Sequence, residues 1–298
     1  MFQASPALVR GLSHWADATA PESGGDGVNV RIMGIVNITA DSFSDGGRYL
    51  EAPAAIAHAR NLLADGADIV DLGPQSSHPD AARLGAAAEI RRLAPVIDAL
   101  ADRKAAISVD SFLGETQRFA LAQGVGYLND IQGFADPGLY PALAAADCRL
   151  VVMHAVQQGG PATRVDIPVG EILERVLAFF AGRIAVLERA GVARQRLILD
   201  PGMGFFLGSR PEASLRVLAN LQRLQAAFEL PLLVSVSRKS FLRAVTGRPL
   251  EAIGAATLAA ELHAVAAGAA YIRTHDVAAL RDAMRITAAV RAEAPSDG

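Results

Sequence analysis

The feature that most constrains this fold is a period. From Val30 onward, short apolar runs alternate with segments long enough for a helix, and the alternation occurs eight times. Each run stops at polar or charged residues. Residues 31–36 stop at Asn37, 68–72 at GPQSSHPD, 106–109 at Asp110 and 127–128 at Asn129. Residues 149–152 stop at Met153 and His154, 197–199 at Asp200, 232–236 at SRKS, and 271–272 at Arg273, Thr274 and His275. Such short, apolar runs read as parallel strands covered on both faces. Eight strand–helix units in succession predict a single (β/α)8 TIM barrel, a fold that carries its chemistry at the C-terminal strand ends. The clearest unit is LILDPGMGFF (197–206), where three apolar residues lead into Asp200 and Pro201, Gly202 and Gly204 then turn the chain.

Helices are expected over 53–65, 86–101, 113–123, 140–146, 169–190, 211–228, 255–267 and 277–290. Pro211 suits a first helical turn. Gly66, Gly124 and Gly268 stand where helices end before strands 2, 4 and 8, as C-cap residues. The 298 residues suit one barrel of ~250 residues with an N-terminal extension and linker over 1–29, holding Trp15 and the stretch PESGGDG. The barrel is expected over 30–292 and a flexible tail over 293–298.

Composition excludes several classes. A hydrophobic share of 51% against 20% charged residues supports a large core. The net charge of −3 gives no purchase on nucleic acid or an anionic membrane. No apolar run approaches the ~20 residues of a span, and no secretion signal is visible, so a cytoplasmic enzyme is expected. The single cysteine, Cys148, excludes an internal disulfide and reads as a small buried hydrophobe.

Two groups of strand ends point to chemistry. Asp110, Asn129 and Asp200, from strands 3, 4 and 6, would project into one mouth. Two carboxylates and an amide suit a flat heterocycle with several N–H groups, such as an aminopyrimidinone. Arg238, Lys239, Arg273 and His275 end strands 7 and 8, the usual phosphate position of the fold. The substrate expected is a polar flat ring carrying a phosphate or diphosphate. Each residue has a plainer alternative. Asp110 or Asp200 could cap a helix, Lys239 could pair with a carboxylate, and His275 could sit in a capping turn. His154 reads as a supporting histidine. The loop over 37–47 reads equally as a lid or as an ordered surface loop. No spacing of His, Asp and Glu forms a metal cage, so a divalent ion would arrive with the diphosphate, as Mg²⁺ held by few protein groups.

Together these motifs resemble the dihydropteroate synthase family. The matching stretches are GIVNITADSFSDGG (34–47), ISVDSF (107–112), NDI (129–131), VMH (152–154), DPGMGF (200–205), SRKSF (237–241) and RTHDV (273–277). They fall in order at seven of the eight strand ends and cover the chain from Val30. The resemblance implies condensation of 6-hydroxymethyl-7,8-dihydropterin diphosphate with p-aminobenzoate, with Mg²⁺, in a homodimer that meets through its last helices. By that resemblance Asp110, Asn129, Asp200 and Lys239 hold the pterin, with Met153 on its face. Asn37 contributes to Mg²⁺, and Arg273, His275 and Ser77 hold the diphosphate. Phe205, Ser240, Arg238 and Pro79 border the p-aminobenzoate pocket, with Phe43 and Asp45 on the closing loop.

Some positions depart from the family. After strand 2 this chain has Gln75, Ser76, Ser77, His78 and Pro79, where an acid, Ser/Thr, Thr, Arg and Pro are usual. Ala40 replaces a usual proline, and Phe206-Leu207 stand where Gly-Lys is common. These departures are similar to those of the sulfonamide-insensitive synthases of mobile resistance elements. They imply a mouth crowded by Phe206 and its neighbours. The alternative reading is a pterin-binding methyltransferase barrel, which would need a corrinoid partner and no diphosphate site; Arg273 and His275 argue against it. A Schiff-base lyase using Lys239 and a non-catalytic binding barrel are the remaining alternatives.

Overall fold

Eight parallel strands form the inner wall: β1 (Arg31–Asn37), β2 (Ile69–Gly73), β3 (Ile107–Asp110), β4 (Tyr127–Asp130), β5 (Arg149–Met153), β6 (Leu197–Asp200), β7 (Leu233–Val234) and β8 (Tyr271–Thr274). They pair in the order β6-β5-β4-β3-β2-β1-β8-β7. A parallel bridge between Leu199 and Leu232 joins the two edges and closes a (β/α)8 barrel. The computed structural model describes residues 30–38, 51–75, 83–157 and 165–293. The N-terminal extension over 1–29 and residues 294–298 of the expected tail lie outside the described residues, as do Phe43, Asp45, Ser77 and Pro79.

The helices are α1 (Glu51–Ala64), α2 (Ala86–Ala99), α3 (Gly114–Gln123), α4 (Tyr140–Ala145), α5 (Ile172–Arg189), α6 (Pro211–Leu218), α7 (Leu221–Phe228), α8 (Ser240–Thr246), α9 (Gly254–Ala266) and α10 (Val277–Ala292). The expected single helix over 211–228 is two. Asn220 leaves the helical region (φ −122°, ψ 23°) and its amide donates to Arg216 O at 2.7 Å, the local competition that makes asparagine a poor interior helix residue. Helix α8 had no separate expectation, because it begins inside the charged SRKS turn. Gly66, Gly124 and Gly268 do end helical segments, with φ of 99°, 74° and 93°.

Strand residues alternate between two interiors. Outward-facing Ile32, Val36, Val70, Leu72, Val109, Leu128, Leu150 and Ile272 pack under the helices in one continuous core, with Leu62, Leu93, Phe180 and Leu280 from the helical side. Burying each such side chain contributes roughly 1.5–3 kcal/mol. Gly34 lets α1 lie close on β1, since a Cβ there would meet Leu62 Cδ1 at 3.0 Å. Cys148 belongs to this core.

Inward-facing residues fill the barrel in layers. At the N-terminal end Arg31 Nη1 donates to the Tyr127 hydroxyl at 3.0 Å, and Tyr127 meets Tyr271 edge to face at 6.4 Å. Above them Met33, Ile69, Val151, Ile198 and Leu233 form an apolar floor. The layer above that floor is polar. Among the described residues, no helix is long and apolar enough to cross a membrane.

Candidate active site

The polar layer begins with a residue the strand-end pattern did not single out. In β2 the sequence IVDLG alternates, so Asp71 points inward between Ile69 and Gly73. Register brings it level with Ile35 on β1 and Ser108 on β3. Asp71 is fully buried. Its Oδ2 accepts from Arg273 Nε at 2.6 Å and from Asn129 Nδ2 at 3.2 Å. Arg273 then reaches Asp110 Oδ2 through Nη2 at 2.8 Å. One guanidinium thus joins the carboxylates of β2 and β3, and Asn129 of β4 is tied to the same oxygen.

Asp200 completes the layer from β6. Its Oδ1 accepts the Gly202 N–H at 2.8 Å. Gly202 has φ 73°, and a Cβ there would fall 2.5 Å from His154 O, so the DPG turn needs glycine. Burial raises the Asp200 carboxyl to about 6, against the pull of the Gly202 N–H and the Lys239 and Arg273 charges. Burial also raises Asp110, with Arg273 opposing. Lys239 lies 5.3 Å from the Phe206 ring centroid, and burial together with Arg273 lowers it to about 8.

Among the described residues, four buried polar atoms of this layer have no partner: Asp71 Oδ1, Ser108 Oγ, Asn129 Oδ1 and Ser235 Oγ. Buried polar atoms are nearly always hydrogen-bonded, so a cluster of orphans at the floor of a mouth is what a polar ligand would satisfy. Ile131, Met153 and Phe206 form an apolar wall beside it. Asp110, Asn129, Met153, Asp200, Lys239 and Arg273, expected from the sequence, line one pocket together with that wall. Asp71, Ser235 and Ile131 are additions. The available signal for Asp71 was an acid inside an otherwise apolar strand, which is costly to bury without a purpose.

A second row of buried groups holds the first in place. Ser111, next to Asp110, donates to Glu89 Oε2 of α2 at 2.6 Å. Asp130, next to Asn129, accepts from Gln117 Nε2 at 2.9 Å and from the backbone of Gln132 and Phe134. His154 Nδ1 lies 3.2 Å from Pro201 O and its ring meets Phe179 edge to face. Burial lowers His154 to about 4, so it stays neutral as a support of the DPG turn.

Strands β7 and β8 bring Ser237 against His275 at the side of the pocket. Ser237 Oγ is 2.9 Å from His275 Nδ1 and accepts the His275 backbone N–H at 3.2 Å. Burial and the charges of Arg238, Arg273 and Lys239 push His275 down to about 3. Arg238 is exposed and left-handed at φ 59°, a conformation that costs of order 1–3 kcal/mol in a non-glycine residue and is typical of functional turns. That kink lets Ser237 and Lys239 both serve the mouth. Ser240 follows, with its Oγ 3.4 Å from where a Gly204 Cβ would sit. The sequence expectation that Phe206 crowds the mouth needs adjustment. Phe206 is 4% exposed and turned into the inner wall, whereas Phe205 is the partly exposed member of the pair. Asn37 ends β1 in an exposed position.

Residues 33–275 match the family model described as pterin binding enzyme. The chain is 58% identical over 260 residues to dihydropteroate synthase type-2 of Escherichia coli, covering 87% of this chain and 96% of that one. It is 56% identical over 256 residues to dihydropteroate synthase type-1 of Escherichia coli, covering 86% and 92%. The Xanthomonas albilineans dihydropteroate synthase solved with 4-aminobenzoic acid superposes with a TM-score of 0.81 at 39% identity, over 90% of this chain and 94% of that one.

Proposed function

The chain belongs to the pterin-binding enzyme family and works as a dihydropteroate synthase, and from that premise we propose how its residues divide the work. Asp200, Asp110 and Asn129 accept and donate hydrogen bonds along the polar edge of the pterin, and Lys239 donates to its ring. Met153 and Phe206 sandwich the ring's apolar faces. The observation that carries this reading is the convergence of Asp110, Asn129, Asp200 and Arg273 around unpartnered buried oxygens. A flat molecule with several N–H groups would supply the missing donors.

Arg273 and His275, with Ser77 from the loop after β2, hold the diphosphate. For Arg273 this means exchanging part of its grip on Asp110 for the ligand, while Asp71 keeps hold of Nε. An aryl amine is a weak nucleophile, so the reaction is a loose displacement. The methylene C–O bond breaks ahead of C–N bond formation, and the diphosphate departs with the bonding pair. Positive charge on the methylene side is spread into the pterin and stabilised by the Asp110 and Asp200 carboxylates. Arg273 and His275 meet the negative charge that grows on the leaving oxygen. The amine lone pair then closes the C–N bond, and the amine nitrogen loses one proton to solvent.

The donor set fits Mg²⁺ in a limited way. Asn37 is exposed at the end of β1 with its Oδ1 beside Gly73, and no group of three or more acidic, His or Cys ligands occurs among the described residues. One amide oxygen plus diphosphate oxygens and water is an ordinary Mg²⁺ environment. The ion would add neutralising charge to the leaving group.

Phe205, Ser240 and Arg238 border the p-aminobenzoate site; Pro79, Phe43 and Asp45, which the sequence assigns to the same site, lie outside the described residues. The departures at 75–79 and at Phe206-Leu207 support a sulfonamide-insensitive pocket, in which Phe205 restricts the space beyond p-aminobenzoate where a sulfonamide substituent extends. The enzyme is cytoplasmic and dimeric, and the exposed Ile286 and Val290 of α10 (67% each) support a contact through that helix. The test of the whole reading is diphosphate release from the pterin diphosphate with p-aminobenzoate and Mg²⁺, titrated with sulfamethoxazole. Turnover that persists at a large excess of inhibitor over p-aminobenzoate is expected. Turnover with strong inhibition would remove the altered pocket, and no turnover would remove the reaction.

A further inference from the structure

We infer that Ser237 is a positioning residue that fixes the tautomer of His275, so that the ring offers Nε2–H as a neutral hydrogen-bond donor to the leaving diphosphate. The inference rests on the proposed diphosphate role of His275 and adds to it a second residue and a protonation pattern.

Ser237 Oγ lies 3.2 Å from the backbone nitrogen of His275 and 2.9 Å from its Nδ1. The backbone N–H can only donate, so Oγ accepts there. The hydroxyl proton still needs an acceptor, because Ser237 is buried at 4% exposure. Among the described residues the acceptor within reach is Nδ1. If Nδ1 carried a proton, two donors would point at one oxygen and the hydroxyl proton would be stranded in a buried site. The arrangement that satisfies every group is Ser237 O–H donating to Nδ1.

A neutral imidazole that accepts at Nδ1 carries its proton at Nε2. The ring is neutral near pH 7, since burial and the neighbouring Arg238, Arg273 and Lys239 charges all disfavour a further cation. Nε2 makes no hydrogen bond among the described residues and is not among the buried orphan atoms, so it is left for a ligand. The parallel pairing of β7 with β8 carries the two side chains to the same side of the mouth.

The chemistry follows from that placement. As the methylene C–O bond breaks, the departing oxygen gains charge and the Nε2–H hydrogen bond strengthens, with no proton transfer required. A neutral donor adds this bond without adding repulsion to a site that already holds Arg238, Lys239 and Arg273. With Ser237 removed, both neutral tautomers become accessible, and the share with Nε2 unprotonated turns a lone pair toward the anion.

The experiment combines ¹⁵N-histidine NMR with steady-state kinetics on the full chain. Long-range ¹H–¹⁵N spectra at pH 7 should show His275 of the unaltered enzyme with Nδ1 unprotonated and Nε2 protonated. Ser237→Ala should shift it to a mixture, and Ser237→Thr, which keeps the hydroxyl, should restore the original pattern. In parallel, Ser237→Ala should lower kcat about tenfold and leave KM for p-aminobenzoate within about twofold. Ser237→Thr should recover kcat. His275→Gln, whose amide nitrogen can stand near Nε2, should exceed His275→Asn in kcat by about tenfold. An unchanged His275 spectrum in Ser237→Ala, or an unchanged kcat, overturns the inference. Full turnover by His275→Ala would instead overturn the diphosphate role itself.

Discussion

Two half-buried arginines face into the barrel from opposite ends, and they live differently. Arg31, at the N-terminal end, donates to the neutral hydroxyl of Tyr127 inside a packed aromatic layer. Arg273, at the C-terminal end, is gripped by two carboxylates, with unpartnered oxygens around it. The two positions lie on neighbouring strands with Arg31 level with Tyr271, only two residues before Arg273. One end of the barrel is therefore satisfied and serves stability. The other holds excess charge and unmet hydrogen bonds, which cost stability and are useful only to a ligand.

The comparison breaks most visibly at Arg273. Arg273→Met should lower kcat/KM for the pterin diphosphate about a thousandfold, the scale of losing a group that meets developing charge. A melt on the same variant should show a loss of stability, because Asp71 and Asp110 are left facing each other without a counter-charge. A loss no larger than tenfold would detach Arg273 from the leaving group.

Asp71→Asn comes next. It keeps the shape but weakens the anchor on Arg273 Nε, and kcat/KM should fall about a hundredfold through misplacement of the guanidinium. Asp71 serves only the pterin diphosphate in this account, by anchoring Arg273 and by offering its unpartnered Oδ1 to the ring. Its effect should therefore appear with the pterin diphosphate and spare KM for p-aminobenzoate.

The pH profile sharpens the contrast further. Asp200 must be ionised to accept from the pterin, and it ionises only above about 6. Lys239 must be protonated, and it loses its proton above about 8. The value of kcat/KM should peak between these limits, and Asp200→Asn should take the Asp200 ionisation out of the acid limb, leaving that of Asp110, along with most activity. The same substitution should raise Tm at pH 7. The folded-state pKa of Asp200 is above its ordinary value, so stability falls as pH rises from about 4 to about 6. Removing the ionisation relieves a penalty on the order of 1–3 kcal/mol. At the far end, Arg31→Met should cost about 1 kcal/mol and lower Tm by roughly 2–4 °C, with kcat unchanged.

Much of this was legible in the residues. The eight-fold period depends only on local hydrophobic runs, so strand count and order followed, and so did Asp110, Asn129, Asp200, Lys239, Arg273 and His275 at strand ends. Asp71 was hidden because it sits two residues before the end of β2, where only the inward alternation reveals it. The Ser237–His275 contact joins residues 38 apart and depends on the β7–β8 register, which no local signal encodes. The break at Asn220 reflects a side-chain bond competing with the helix. The inward turn of Phe206 arises from its packing on Met153 and Ile131, which only the closed barrel brings together.

The central claim is that the charged end of the barrel binds the pterin diphosphate and the satisfied end does not. The direct measurement is calorimetric Kd for that ligand with Mg²⁺, on Asp200→Ala and Arg31→Met beside the unaltered enzyme. The account predicts a Kd raised about a hundredfold by Asp200→Ala and changed less than about twofold by Arg31→Met. Equal affinity of the unaltered enzyme and Asp200→Ala would contradict it.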